Sequence, residues 1–515
     1  MMAAAVLVPA CGATDRETDP ALDPFDPREA TIARIHAAFA RGELSCVELI
    51  TGYLARIDAY DQRGPEINAL ITVNSGALDA AADLDRRYGV DPETIGPLHC
   101  IPVIVKDNFD TADLPTTGGS VTLAESYPLD DAFIVRRLRE AGAIVLAKSN
   151  LTELARGGTT LSSLGGQTRN PYDLTRTPGG SSGGTGAAVA AGFGVLGTGS
   201  DTGQSIRSPA SAQSLVGLRP TRGLVSRDGV IPNSSTQDEA GPITRTVEDA
   251  ARMLDVIAGY DPADPITAFG VPHIPDSYAR TLDPNGMDGA RIGVVMDLFG
   301  RDTVHEVVND VTESALARMV AAGATILRVD IPDFDEVVRD VSVEEFESKS
   351  VFNRYLADLG PNAPVRSVED FIRGGGFHPS IRRSLEATAA IEDGLNDPEY
   401  RRRLLRREKL RQTLMTVFAD HDLDALVYPH QRRLVAAIGE AQLERNGVLS
   451  NATGFPAITI PGGFSPPTGS APLGVPVGIE LLGPDWSEPT LLKLAFAFEH
   501  TARVRKPPAA TPPLD

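Results

Sequence analysis

The chain has 515 residues, 42% of them hydrophobic and 23% charged, which suits a large globular core and argues against disorder. Its 48 basic and 69 acidic side chains leave a net charge of −21; a surface that tracks phosphates must be basic, so nucleic acid is not an expected partner. No apolar run reaches the roughly 18–20 residues of a membrane span.

Residues 1–10 are uncharged and mostly apolar, and they lead into Leu7-Val8-Pro9-Ala10-Cys11-Gly12. An apolar run, a small residue and then Cys resembles a bacterial lipobox, in which Cys11 carries the lipid. The basic segment of a secretory signal is missing. Residues 13–27 are polar and rich in Asp, Pro and Thr, as a surface tether would be. The expectation is a signal-like segment and tether over 1–25, a lipid anchor at Cys11 and an extracytoplasmic location. The alternative is a frayed apolar tail on a cytoplasmic protein. Cys46 and Cys100 read as core or surface thiols. With no C-x-x-C pair and no His/Cys cluster, neither a zinc site nor a disulfide framework is expected.

Helical signals begin at Asp26, an N-cap followed by Pro27 and Glu29, with Ile32, Ile35 and Phe39 on one face and Gly42 as the stop. Ser45 and Glu48 form a second capping box. A buried strand is expected over 101–105, a helix over 133–140 and a strand over 143–147. Residues 157–203 are dominated by Gly, Ser and Thr around an Ala-rich helical stretch at 185–191. A β-α-β order follows at 291–296, 304–322 and 325–329. Late strands are expected at 425–428, 457–460 and 477–482, and a last helix at 491–498. Helices and strands alternate with no dividing linker, which predicts one α/β domain over 26–505 and a Pro-rich tail over 506–515.

Three segments carry the chemistry. Val103-Ile104-Val105-Lys106 places a lysine at the end of an apolar strand. Pro178-Gly179-Gly180-Ser181-Ser182-Gly183-Gly184 is a serine-glycine turn. Gly199-Ser200-Asp201-Thr202-Gly203-Gln204-Ser205-Ile206-Arg207 is a second. A serine hydroxyl needs a base to become a nucleophile. A lysine serves as that base when burial lowers its pKa toward neutrality. Glycine-rich turns let backbone N–H groups converge on an oxyanion.

At these residues the sequence resembles the amidase signature family. The likeness covers almost the whole chain, is densest over 99–250 and resumes over 449–483. Asn170-Pro171 and a second serine 24 residues after Ser181 add specificity, and 166–171 and 223–242 are similar to the peptide-amidase branch. The resemblance implies a large central mixed, twisted β-sheet flanked by helices on both faces. It also implies a Ser-cisSer-Lys triad: Ser205 as nucleophile, Ser181 after a cis Gly180–Ser181 bond as relay, and Lys106 as base. The oxyanion hole would be the N–H groups of Thr202, Gly203, Gln204 and Ser205. Asp201 and Arg207 would lock that turn with opposite charges, and Ser182 would be structural. The family usually has a small residue where this chain has Gln204, which bears on substrate preference.

The implied activity is hydrolysis of a linear C–N acyl bond through an acyl-serine, with no metal and no organic cofactor. The expected partner is a small-molecule amide, and the chain is expected as a monomer or homodimer. Walls of the pocket are expected in loops after Leu114 and between Asp335 and Leu385. Two other readings share the resemblance: the glutaminase component of a tRNA amidotransferase complex, and a non-catalytic binding protein. Gly179-Gly180-Ser181-Ser182-Gly183 also satisfies G-x-S-x-G, but no buried strand precedes it as an α/β-hydrolase requires. His99 reads as a packing residue.

Overall fold

The computed structural model describes residues 26–91 and 95–514, so Cys11 and the lipobox-like segment lie outside the described residues. Among the described residues the strands are, in chain order, β1 (Leu70–Val73), β2 (Pro102–Lys106), β3 (Ile144–Ser149), β4 (Leu161–Ser162), β5 (Gly166–Gln167), β6 (Leu196–Asp201), β7 (Val216–Arg219), β8 (Glu239–Thr244), β9 (Arg291–Val295), β10 (Thr325–Val329), β11 (Ala425–Pro429), β12 (Ala457–Phe464) and β13 (Pro476–Leu482). β4 and β5 pair with each other. The other 11 strands form one sheet in the order β1-β3-β2-β6-β8-β7-β12-β13-β11-β9-β10.

Strand direction positions the site. β2 runs parallel to β3 and β6, with Val103 opposite both Val145 and Leu196. β9 runs parallel to β10 and β11, and the remaining neighbours are antiparallel. Parallel strands are covered on both faces and so read as continuous apolar runs. β2, β3 and β6 are buried at every position. The helix Gly183–Ala190, buried along its whole length, packs on β2 and β6. Its first residues, and the carboxyl ends of β2 and β6, are where a functional site is expected in such a sheet.

The expected helices and strands form, with shifts at their ends. The Ser45–Glu48 capping box is complete: Glu48 N donates to Ser45 Oγ at 3.2 Å and Ser45 N to Glu48 Oε2 at 2.8 Å. Asp26 caps only a 3-10 turn, Pro27–Glu29. Ala30 is then extended, and Ile32, Ile35 and Phe39 belong to a separate helix, Ile32–Ala40. The reason is a rival cap: Thr31 Oγ1 accepts from Arg34 N at 3.2 Å, which requires extended backbone at Thr31 and interrupts the run.

Some elements escaped the sequence reading. The helix Pro398–His421 buries only Arg407, Leu410, Leu414, Val417 and Phe418 among its 24 residues, too few apolar positions to show a stripe. β1 buries Leu70 alone. The region expected as loops between Asp335 and Leu385 is largely helical. Glu344–Asp358, Val368–Gly374 and Arg382–Ala390 close around Phe352, Phe371, Phe377 and Leu385.

The cysteine reading is corrected. Cys46 and Cys100 are joined by a disulfide, both fully buried, with Cα atoms 5.7 Å apart, within the usual span of such a bond. Cys46 begins the helix Cys46–Tyr60 and Cys100 lies just before β2. Their separation of 54 residues carries no pairing signal; only the docking of that helix beside the β2 entry brings them together. The Pro-rich tail lies along the body, where Arg56 donates to Pro512 O at 2.9 Å and Thr511 O at 3.0 Å. His99 packs against Tyr88 and Phe39, with ring centroids 5.6 and 6.0 Å away.

Candidate active site

Lys106 ends β2 with its side chain fully buried. Its backbone N–H donates to Thr198 Oγ1 at 3.0 Å, which ties the strand end to β6. Nζ lies 2.8 Å from Ser181 Oγ, 2.8 Å from Ser200 Oγ and 3.3 Å from Ser200 O. Burial pushes the Lys106 ammonium down to about 7, against the Asp201 and Asp238 carboxylates that pull it up. Near neutral pH a large share of Lys106 is therefore the free amine, able to take a proton. Burial also lowers a second lysine, Lys148, but its amine is surrounded by other partners. Its Nζ donates to Phe109 O, Thr111 Oγ1, Pro115 O and Thr116 Oγ1 and pairs with Asp107 at 3.3 Å.

Ser181 follows a cis Gly180–Ser181 bond. Its carbonyl accepts from Thr152 N at 3.0 Å, and the next N–H, that of Ser182, donates to Ser205 O at 3.2 Å. That bond ties the two serine turns together. Ser182 Oγ also donates to Ser200 O at 3.4 Å. Ser205 is 7% exposed, and its hydroxyl makes no hydrogen bond with a described residue.

The turn from Thr202 to Ser205 has its carbonyls engaged. Thr202 O accepts from Gln237 Nε2 at 3.4 Å. Gly203 O accepts from Arg207 Nη2 at 2.7 Å and Asn451 Nδ2 at 3.1 Å. Gln204 O accepts from Ser208 N at 2.8 Å. The N–H groups of Gly203, Gln204 and Ser205 donate to no described residue. Free N–H groups on a turn pinned by its carbonyls suit a developing oxyanion. The Gln204 side chain fits because Gly447 faces it. A Cβ at Gly447 would stand 2.5 Å from Gly203 O and 2.8 Å from Gln204 Cβ.

A buried charge network holds this turn. Asp201 accepts from Ile206 N and Arg207 Nε, both at 3.1 Å, and from Arg219 Nη1 at 3.0 Å. Arg207 Nη1 reaches Glu480 Oε1 at 2.6 Å. Glu480 also accepts from Tyr428 Oη at 2.8 Å and lies 2.6 Å from His430 Nδ1. Burial alone would raise the Asp201 carboxyl, but Arg207 and Arg219 hold it well below the usual carboxylate range.

The structure thus brings together Lys106, Ser181, Ser182, Ser205, Thr202, Gly203, Gln204, Asp201 and Arg207. Several contributors were not singled out from sequence. Ser200 contacts the lysine amine, and Asn108 Nδ2 donates to Ser200 Oγ at 3.0 Å. Asp238 accepts from Thr202 Oγ1 at 2.5 Å. Glu480, Tyr428 and His430 arrive from β13, from β11 and from the residue after it. Ser200 stood inside a quoted motif, whereas the late-chain residues carry no local signal.

Comparisons with known proteins agree in direction. A family model described as Amidase matches residues 48–492. The chain is similar to a glutamyl-tRNA(Gln) amidotransferase subunit of Moorella thermoacetica, 38% identical over 90% of this chain and 95% of that protein. Among solved structures it is similar to native peptide amidase from Stenotrophomonas maltophilia. That likeness is 37% identical with a TM-score of 0.84, covering 94% of this chain and 99% of the other. The corresponding glutamyl-tRNA(Gln) amidotransferase subunit of Thermotoga maritima aligns at 29% identity and a TM-score of 0.69, over 92% and 95% of the two chains.

Proposed function

The chain belongs to the amidase family, hydrolases that act on C–N amide bonds, and on that premise we propose that it cleaves a linear amide through an acyl-serine at Ser205. Ser205 Oγ attacks the carbonyl carbon. Its proton passes to Ser181 Oγ as the Ser181 proton passes to the Lys106 amine. The oxyanion is met by N–H groups of the turn from Thr202 to Ser205. The C–N bond then breaks as the Lys106 ammonium returns a proton through Ser181 to the departing nitrogen, which leaves as ammonia or an amine. Water, activated by the same relay, attacks the acyl-serine and releases the acid.

The observation that carries this reading is the buried Lys106 Nζ at 2.8 Å from Ser181 Oγ, on a loop bonded to Ser205 O. The test is labelling with a fluorophosphonate, followed by mass spectrometry of the labelled peptide. Label on Ser205, and loss of both label and turnover in Ser205→Ala with an unchanged melting temperature, is the expected result. Wild-type turnover in that variant would reject the nucleophile assignment.

Between the relatives, a free-standing amidase is favoured. The likeness to peptide amidase has a TM-score of 0.84 against 0.69 for the Thermotoga amidotransferase protein. The amidotransferase reading rests on the 38% identity to the Moorella protein. Hydrolysis of peptide amides, aryl amides, fatty amides and carbamates, set beside glutamine, separates the two. The Cys46–Cys100 disulfide supports an oxidising, extracytoplasmic location, and the lipid-anchor reading of Cys11 rests on the lipobox-like segment. Mass spectrometry of the mature N-terminus tests it.

A further inference from the structure

One cation beside the relay has no part in the mechanism. Arg445 lies just before Gly447, the residue that abuts Gly203 and Gln204. Its guanidinium rests over Gly158, where a Cβ would stand 2.8 Å from Arg445 Cζ. Gly158 in turn packs on Gly180, where a Cβ would stand 2.8 Å from the Gly158 carbonyl carbon. Arg445 is thus linked through Gly158 to the Gly180–Ser181 loop and, two residues along the chain, through Gly447 to the turn from Thr202 to Ser205.

This side chain is half-buried and makes no hydrogen bond or ion pair with a described residue. The carboxylates nearby are already engaged. Glu444 lies 3.1 Å from His305 Nε2 and 3.6 Å from Arg433 Nε, and Asp201 is held by Arg207 and Arg219. Burial lowers the Arg445 guanidinium to about 10, opposed by Asp201, so it stays charged at neutral pH. A partly buried charge without a partner gains from an anionic ligand, and a guanidinium's planar fork matches a carboxylate.

We propose that Arg445 selects the substrate by binding a carboxylate that the amide carries close to its scissile carbonyl. This rests on the amidase reading above. The same cation repels substrates with an ammonium at that position. The carboxylate can lie in the acyl half, as in the monoamides of succinic and glutaric acid, or in the amine half, as in an N-acylglycine.

The experiment measures kcat/KM for both anionic classes and for neutral amides of equal length, in wild type, Arg445→Ala and Arg445→Lys. Wild type should prefer one anionic class. Arg445→Ala should cut the anionic-to-neutral ratio by about 10- to 100-fold, the range of a charged hydrogen bond, mostly through KM, and Arg445→Lys should restore part of it. The class that loses preference identifies the half that carries the carboxylate. An unchanged ratio, or no anionic preference in wild type, overturns the proposal. Labelling rates of Ser205 by neutral and carboxylate-bearing fluorophosphonates give the same ratio without a known substrate. Failure of Ser205 to label with either probe would instead reject the amidase reading.

Discussion

Lys106 Nζ is as close to Ser200 Oγ as to Ser181 Oγ, 2.8 Å in both cases. Ser181 is the partner through which, in the proposed mechanism, a proton passes between Lys106 and Ser205. Ser200 is an acceptor that favours the charged ammonium, and Asn108 holds it in place. The Lys106 amine is thus under two opposing effects: burial favours the neutral form, and the Asp201 and Asp238 carboxylates favour the ammonium, to which Ser200 Oγ offers an acceptor.

The first prediction concerns pH. Turnover should rise as pH climbs through about 7, where Lys106 loses its proton. Ser200→Ala removes an acceptor from the ammonium, so the inflection should move to lower pH while turnover at the plateau falls. Lys106→Ala should abolish the inflection with most of the rate. Profiles of kcat against pH for the three proteins decide it. An inflection in Ser200→Ala at or above the wild-type pH would contradict the assignment of Ser200.

The second concerns the charge network. Arg207→Met leaves Asp201 and Glu480 without their shared guanidinium, and both are fully buried. Breaking a buried pair from one side costs about 3–5 kcal/mol. Denaturant unfolding should show a loss of that order, whereas Arg207→Lys, which keeps the charge but not the fork, should lose less. A loss under about 1 kcal/mol, the range of a surface pair, would mean the network is not structural.

The third tests the fit of Gln204. Gly447→Ala places a methyl 2.5 Å from Gly203 O, so the turn must move. Displacing an oxyanion donor costs about 10²–10³ in kcat. Steady-state kinetics should show a fall of that order, with the melting temperature within a few degrees of wild type. A wild-type kcat would show that the turn has slack.

The fourth concerns the disulfide. A bond closing a loop of 54 residues restricts the unfolded chain by about 4 kcal/mol in the chain-entropy account. Reductant should lower the melting temperature of wild type and leave the Cys46→Ala/Cys100→Ala double variant unaffected. Equal melting with and without reductant in wild type would remove the bond's structural role.

The motifs of the candidate site were legible because each turn is local. Gly180-Ser181-Ser182 and Gly203-Gln204-Ser205 carry their glycines and hydroxyls within a few residues, and Lys106 sits at the end of its own apolar strand. The helix Phe133–Glu140 and strand β10 were legible for the same reason, since period and stop signals lie inside the segment. The helix Pro398–His421 was not, because its long polar surface hides a narrow buried stripe.

The sequence by itself determined the alternation of helices and strands, written in short-range pattern, and it supplied the motifs on which the family resemblance, and with it the proposed roles of Ser205, Ser181 and Lys106, rests. Only the tertiary structure decided which partners those groups meet. It placed Ser200 on the lysine amine, Gly447 against Gln204, Glu480 against Arg207 across 273 residues, and Cys46 against Cys100. The pKa of Lys106 belongs to the same class. It is set by how completely strands and loops exclude water from one amine, and that exclusion arises from packing between distant segments rather than from any neighbour in the chain.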